Sequence, residues 1–152
     1  TSGKLKSNPT VYGFENIITL ICYEILFTKE IVRRIYKNTN LLINITNDAW
    51  FGKTIGPYQH LALAKIKAVE FGLPLARVAN TGISAYVSPY GEIIGKIPLD
   101  FKGVKTFDLI PALDSTLYKI YGEYIFIVLI LILLVINTIY NINFKEKKFN
   151  EK

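Results

Sequence analysis

The sequence predicts a layered α/β domain with a mixed sheet, followed by one C-terminal helix apolar enough to cross a membrane. Three observations predict it. Short β-branched runs alternate with amphipathic segments as far as Asn80. The apolar runs beyond Asn80 are short and separated by turn residues. Near the end, Tyr124 to Ile136 is an unbroken apolar stretch of thirteen residues. At 152 residues the chain can bury one sizeable core, so one domain is expected ahead of the span.

Taken in order, Asn16 to Cys22 is a nearly continuous apolar and β-branched run, the pattern of a strand buried on both faces. Phe27 to Lys37 places Phe27, Ile31 and Ile35 on one helical face and predicts a covering helix. Leu41 to Thr46 reads as a second strand running into a polar, glycine-containing loop, Asn47 to Gly52. Between Tyr58 and Phe71 the apolar positions Leu61, Ala64, Ala68 and Phe71 recur at a helix period. Pro57 suits the start of that helix and Gly72 its end. Leu75 to Asn80, Ser84 to Ser88, Ile93 to Ile97 and Val104 to Leu109 then read as strands, with a Pro89-Tyr90-Gly91-Glu92 turn making a hairpin of the middle two.

The apolar stretch extends through Tyr140, and seventeen helical residues span about 25 Å, within the range that crosses a bilayer. Tyr124 and Tyr140 bracket it as interfacial residues do. Lys145, Lys147, Lys148 and Lys152 follow it, against Lys105 and Lys119 shortly before. That asymmetry predicts a cytoplasmic basic tail over 141–152, with the Cys22 domain across the membrane, in a Gram-negative cell the periplasm. The expected organisation is therefore a domain over 1–115, a juxtamembrane linker over 116–123, a transmembrane helix over 124–140 and the tail.

Composition narrows the partners. Hydrophobic residues make up 51% of the chain and its mean hydropathy is +0.30, high for a soluble domain. The net charge of +6 reads either as a solvated basic surface or as attraction to anionic lipid. No Arg-rich stripe or aromatic RNA-binding signature accompanies it, so no nucleic acid is expected. Cys22 is the single cysteine, which excludes an intrachain disulfide and a cysteine-based zinc site. No metal or cofactor is expected. The chain begins at Thr1 and contains no Met, and reads as a fragment.

A lone cysteine at the end of a buried strand packs as a small hydrophobe or serves as a nucleophile. Glu24 two residues on, and backbone N–H groups exposed at a strand end, suit the second use. His60, the single histidine, lies inside the amphipathic helix, where a structural role is the ordinary one. A papain-like signature around Cys22 is absent. A thiol can instead be activated by a carboxylate that takes its proton and an ammonium that holds the thiolate and the oxyanion.

Ile21-Cys22-Tyr23-Glu24 after an apolar strand resembles the nucleophile motif of the nitrilase superfamily. Thr46-Asn47-Asp48-Ala49-Trp50-Phe51-Gly52-Lys53, Gly56-Pro57-Tyr58-Gln59-His60 and Arg77-Val78-Ala79-Asn80-Thr81-Gly82-Ile83-Ser84 resemble, in order and spacing, the apolipoprotein N-acyltransferase family within it. The resemblance covers about Thr1 to Pro111, and the terminal span fits that family's last transmembrane helix. It implies an α-β-β-α sandwich with a Glu-Lys-Cys triad, present here in part. Cys22 would take an acyl chain from a phospholipid as a thioester and pass it to the N-terminal amine of a diacylglyceryl-lipoprotein. The Tyr23 N–H would help hold the oxyanion, Glu24 would support the site, and Trp50, Phe51 and His60 would lie near the acyl or headgroup path.

The family's glutamate base and its lysine come from segments well upstream of the cysteine. Lys4 and Lys6 lie too close to Cys22 to stand in for the lysine. The chain alone is thus expected to catalyse nothing without the N-terminal portion of the enzyme. Two other readings stand beside the acyltransferase: a nitrilase-type amidase, and a membrane-anchored remnant without activity.

Overall fold

The computed structural model describes residues 17–36 and 38–150, the last nine of these by their backbone alone. Asn16, Lys4, Lys6 and Lys152 lie outside the described residues, as do the side chains of Lys145, Lys147 and Lys148. The chain divides into two compact units, Thr1–Thr116 and Leu117–Lys152.

The first unit is α/β, as predicted. Its strands are β1 (Ile17–Ile21), β2 (Leu41–Asn47), β3 (Leu75–Asn80), β4 (Ser84–Val87) and β5 (Ile93–Ile97), with helices α1 (Thr28–Arg34) and α2 (Gly56–Phe71) between the first three. The strands form one five-stranded sheet in the order β1-β2-β3-β4-β5. β1, β2 and β3 are parallel, and β4 and β5 run antiparallel as a hairpin. Two βαβ crossovers stepping in one direction along a sheet put both helices on the same face.

Strand alternation sorts the residues between the faces. Ile18 and Leu20 of β1, Leu42 and Asn44 of β2 and Leu75 and Arg77 of β3 are buried beneath the helices. Helix α2 contributes Leu61, Ala64, Ala68 and Phe71 to the buried side, the positions its 3.6-residue period marks. It begins with Pro57 in its first turn and ends at Gly72, whose φ of +63° supplies the left-handed cap.

On the other face Ile17, Leu41 and Tyr86 form a small cluster with Ile43, Ala76, Leu109 and Ile110 packed against it. Further along this face Ile21, Ile45 and Val78 stand in register across three strands and are exposed. The described residues thus build one helix layer and one sheet layer of the expected four-layer sandwich.

Two expectations are corrected. Val104–Leu109 is not a strand: the segment crosses the sheet face instead of pairing along its edge. Phe107 stacks on Tyr86 with ring centroids 5.2 Å apart, and the Ile110 N–H donates to the Tyr86 hydroxyl. Phe107, Leu109 and Ile110 pack on the sheet without needing a ladder, while Val104 stays exposed. Helix α1 is also shorter than Phe27–Lys37. It stops at Arg34, because Ile35 is already extended (φ −75°, ψ 129°), and of Phe27, Ile31 and Ile35 it buries Ile31 fully.

The second unit holds a short helix α3 (Leu117–Tyr121), in the stretch expected as a linker, and α4 (Tyr124–Asn150). Within α4, Tyr124–Asn141 has a mean hydropathy of 2.4 and no buried share, so it is long and apolar enough to cross a membrane.

Candidate active site

β1 delivers Cys22 to the C-terminal end of the parallel strands, where the chain turns into a single 3₁₀ turn, Cys22–Leu26. Cys22 takes the turn at φ +49°, a left-handed conformation that costs a non-glycine residue about 1–3 kcal/mol and persists only where its surroundings hold it. They do. Asn44 Nδ2 donates to the carbonyls of Leu20 at 3.2 Å and Cys22 at 3.1 Å. Glu24 Oε2 accepts the Ile21 N–H at 2.9 Å. The half-buried Cys22 Sγ lies 3.4 Å from Thr46 Oγ1 and 3.4 Å from the Asn47 backbone nitrogen, both from the end of β2.

Behind Cys22 runs a buried polar network centred on Asp48. Arg77 Nη2 donates to Asp48 Oδ2 at 2.6 Å, with both side chains fully buried. His60 Nδ1 lies 2.9 Å from Asp48 Oδ1, and Thr46 Oγ1 lies 3.1 Å from the same oxygen. Arg77 Nη1 donates to Asn44 Oδ1, which links the network to the amide holding the Cys22 carbonyl. Burial pulls the Arg77 guanidinium below its ordinary value, while Asp48 first, and Cys22 after it, pull the other way. Gly82 fits only as glycine, since a Cβ there would lie 2.5 Å from Asp48 Oδ2.

The side chains singled out from the sequence fall in different places. Tyr23 stacks on His60 with centroids 5.0 Å apart and planes 14° apart, and Phe51 meets both rings edge-on at 6.3 Å. His60 is buried, and its Nε2 has no hydrogen-bond partner among the described residues. Its link to the thiol region runs through Tyr23 and Asp48. Glu24 faces Arg34, whose guanidinium nitrogens approach it at 3.4 and 3.5 Å while also donating to the Thr19 carbonyl. Trp50 is 78% exposed and so closes no core among the described residues. A cavity of about 280 Å³ opens elsewhere, on the far sheet face beside Tyr86, Lys96 and Phe107, and Arg77 is the one residue of the buried network that also lines it.

Asn44, Thr46, Asp48 and Arg77 were not assigned roles from the sequence. For Asn44, Thr46 and Arg77 the signal is parity, polar residues at inward positions of β2 and β3, and Asp48 follows one step beyond the end of β2. The arrangement presents one partly exposed sulfur with a hydroxyl and a backbone N–H beside it, on a turn fixed by buried hydrogen bonds. Such a sulfur can attack an electrophilic carbonyl. Among the described residues no group of three or more His, Cys, Asp or Glu is placed to hold a metal ion.

Residues 5–115 match the carbon-nitrogen hydrolase family. The chain is 40% identical over 103 residues to the apolipoprotein N-acyltransferase of Haemophilus influenzae, covering 68% of the chain and 20% of that protein. It is 56% identical over 91 residues to that of Rhizobium etli, covering 60% and 17%. The chain spans about a fifth of the length of the curated relatives it matches. Among solved structures, a cysteine-to-alanine variant of an amidase from Nesterenkonia AN1, of the nitrilase superfamily, aligns with a TM-score of 0.50 at 22% identity. That alignment covers 62% of this chain and 38% of the amidase.

Proposed function

We propose, since the chain belongs to the carbon-nitrogen hydrolase family, that it carries the nucleophile of an apolipoprotein N-acyltransferase. The observation that carries this reading is Cys22 itself. It is held at a left-handed turn at the end of β1, half-exposed, inside a stretch whose relatives are N-acyltransferases of 40 to 56% identity.

In this reading the Cys22 sulfur attacks the ester carbonyl of a phospholipid acyl chain. The C–S bond forms, the glycerol oxygen leaves with a proton, and the product is a thioester. The amine of a diacylglyceryl-lipoprotein then attacks that thioester, an amide forms and the thiol is regenerated. The Tyr23 N–H contributes to the oxyanion site. Glu24 supports the turn by accepting the Ile21 N–H, with Arg34 beside it. Trp50 and Phe51 border the acyl path, and His60 acts on it through the Tyr23 ring stacked above it.

A general base and an ammonium are needed as well. Glu24 and Arg34 are committed to the turn, and Asp48 and Arg77 to each other. The reading therefore places the base and lysine on an N-terminal portion of the same enzyme, whose sheet would cover the exposed row Ile21, Ile45 and Val78. Tyr124–Asn141 would anchor the chain in the bacterial inner membrane, with the Cys22 unit periplasmic and the lysine-rich tail cytoplasmic.

The test is transfer. Membranes carrying the chain together with such an N-terminal portion receive labelled phospholipid and a diacylglyceryl-peptide. Labelled amide should form, and Cys22→Ala should abolish it. Product persisting in Cys22→Ala, or none forming with Cys22 intact, would overturn the reading.

A further inference from the structure

The Thr46 hydroxyl has two partners and one proton. Its Oγ1 lies 3.4 Å from Cys22 Sγ and 3.1 Å from Asp48 Oδ1, and the Asn47 N–H lies 3.4 Å from the same sulfur. While Cys22 keeps its proton, the S–H donates to Oγ1 and the hydroxyl proton goes to Asp48. Once the thiol ionises, the sulfur can only accept, and rotation about the Thr46 C–O bond turns the hydroxyl proton to it. Asp48 then retains His60 Nδ1–H on Oδ1 and Arg77 on Oδ2, so neither state leaves its carboxylate bare.

We propose that Thr46 is a two-position hydroxyl donor that stabilises Cys22 as a thiolate, with the Asn47 N–H as the fixed second donor and Asp48 as the anchor that orients it. Hydrogen bonds to the charged form of a thiol favour that form. The ionisable groups on the elements packed around this turn are Tyr23 and Glu24 on the turn itself, Arg34 from α1, His60 from α2, Asp48 beyond β2 and Arg77 from β3. None of them has a hydrogen bond to Sγ among the described residues; the two that do are Thr46 and Asn47. The proposal rests on the reading of Cys22 as nucleophile and adds the group that tunes it.

Because Cys22 is the single cysteine, alkylation of the whole detergent-solubilised chain by iodoacetamide reads this thiol alone. The rate is followed from about pH 5 to 10, a range that brackets the ordinary thiol titration. Thr46→Val keeps the shape and removes the hydroxyl. It should lower the rate at neutral pH about tenfold. Thr46→Ser, which keeps the hydroxyl and loses the methyl, should react as the native chain does. A purely packing role would reverse that order. The proposal is overturned if Thr46→Val is alkylated as fast as the native chain across that range, or if Thr46→Ser is slowed as much as Thr46→Val. If Thr46→Val loses its cooperative urea transition, Thr46→Ala is read in its place against the same two outcomes. Failure here leaves Cys22 as nucleophile standing, because that reading is tested separately by amide formation in Cys22→Ala.

Discussion

Arg77 and Asp48 form an ion pair with no solvent exposure on either side chain, Nη2 to Oδ2 at 2.6 Å, at the centre of the network behind Cys22. Two ions taken out of water are tolerable together and expensive apart. Asp48→Asn or Arg77→Met leaves one buried charge without its counter-ion, and each should cost about 3–5 kcal/mol of stability. The double variant Asp48→Leu/Arg77→Met should recover part of that loss. The urea midpoint of the solubilised chain measures it. Single variants within about 1 kcal/mol of the native chain, a surface-pair magnitude, would show that the network does not hold the fold.

The Cys22 backbone makes a second prediction. A left-handed φ of +49° suits glycine better than any side chain, so removing the thiol has opposite structural consequences in two variants. Cys22→Gly should be more stable than Cys22→Ala by about 1 kcal/mol, although both lack the nucleophile. Equal midpoints would mean that the turn relaxes out of the left-handed region when Asn44 and Glu24 are its sole restraints.

Much of this was visible in the amino-acid pattern. The continuous apolar run ahead of Cys22 gave β1, the recurrence of Leu61, Ala64, Ala68 and Phe71 gave α2, and the Tyr124 stretch gave α4. These features are local, and period alone specifies them. Val104–Leu109 misled because apolar residues that cover a sheet face and apolar residues that join its edge have the same composition. The pairing that decides between them is a long-range contact.

The site divides in the same way. Cys22 and Glu24 share one turn and could be related from spacing. The contacts of Cys22 with Thr46, and of Asp48 with Arg77, depend on the parallel register Ile21↔Ile45 and Ile45↔Val78, which the sequence does not display. His60 was expected near a lipid path by resemblance. The Tyr23 ring stacks on it and Asp48 fixes its Nδ1, a surrounding set by tertiary packing and not by helix period.

The membrane proposal for α4 has its own test. A charge at the middle of Tyr124–Asn141 would sit at the bilayer centre, at a cost of about 2.5–3.5 kcal/mol for insertion. Ile132→Arg should therefore shift the chain from the carbonate-resistant to the carbonate-extractable fraction of membranes. Lys145→Ala, beyond that window, should not. Unchanged retention of Ile132→Arg would indicate that α4 does not span.

The most direct measurement is the mass of the peptide containing Cys22, taken from the complete enzyme after incubation with phospholipid and no lipoprotein acceptor. A covalent-nucleophile mechanism predicts an added acyl chain on that peptide, removed by neutral hydroxylamine as thioesters are and discharged when the acceptor peptide is supplied. An unmodified Cys22 peptide in an enzyme that still transfers the acyl chain, or an acyl group resistant to hydroxylamine, would contradict it.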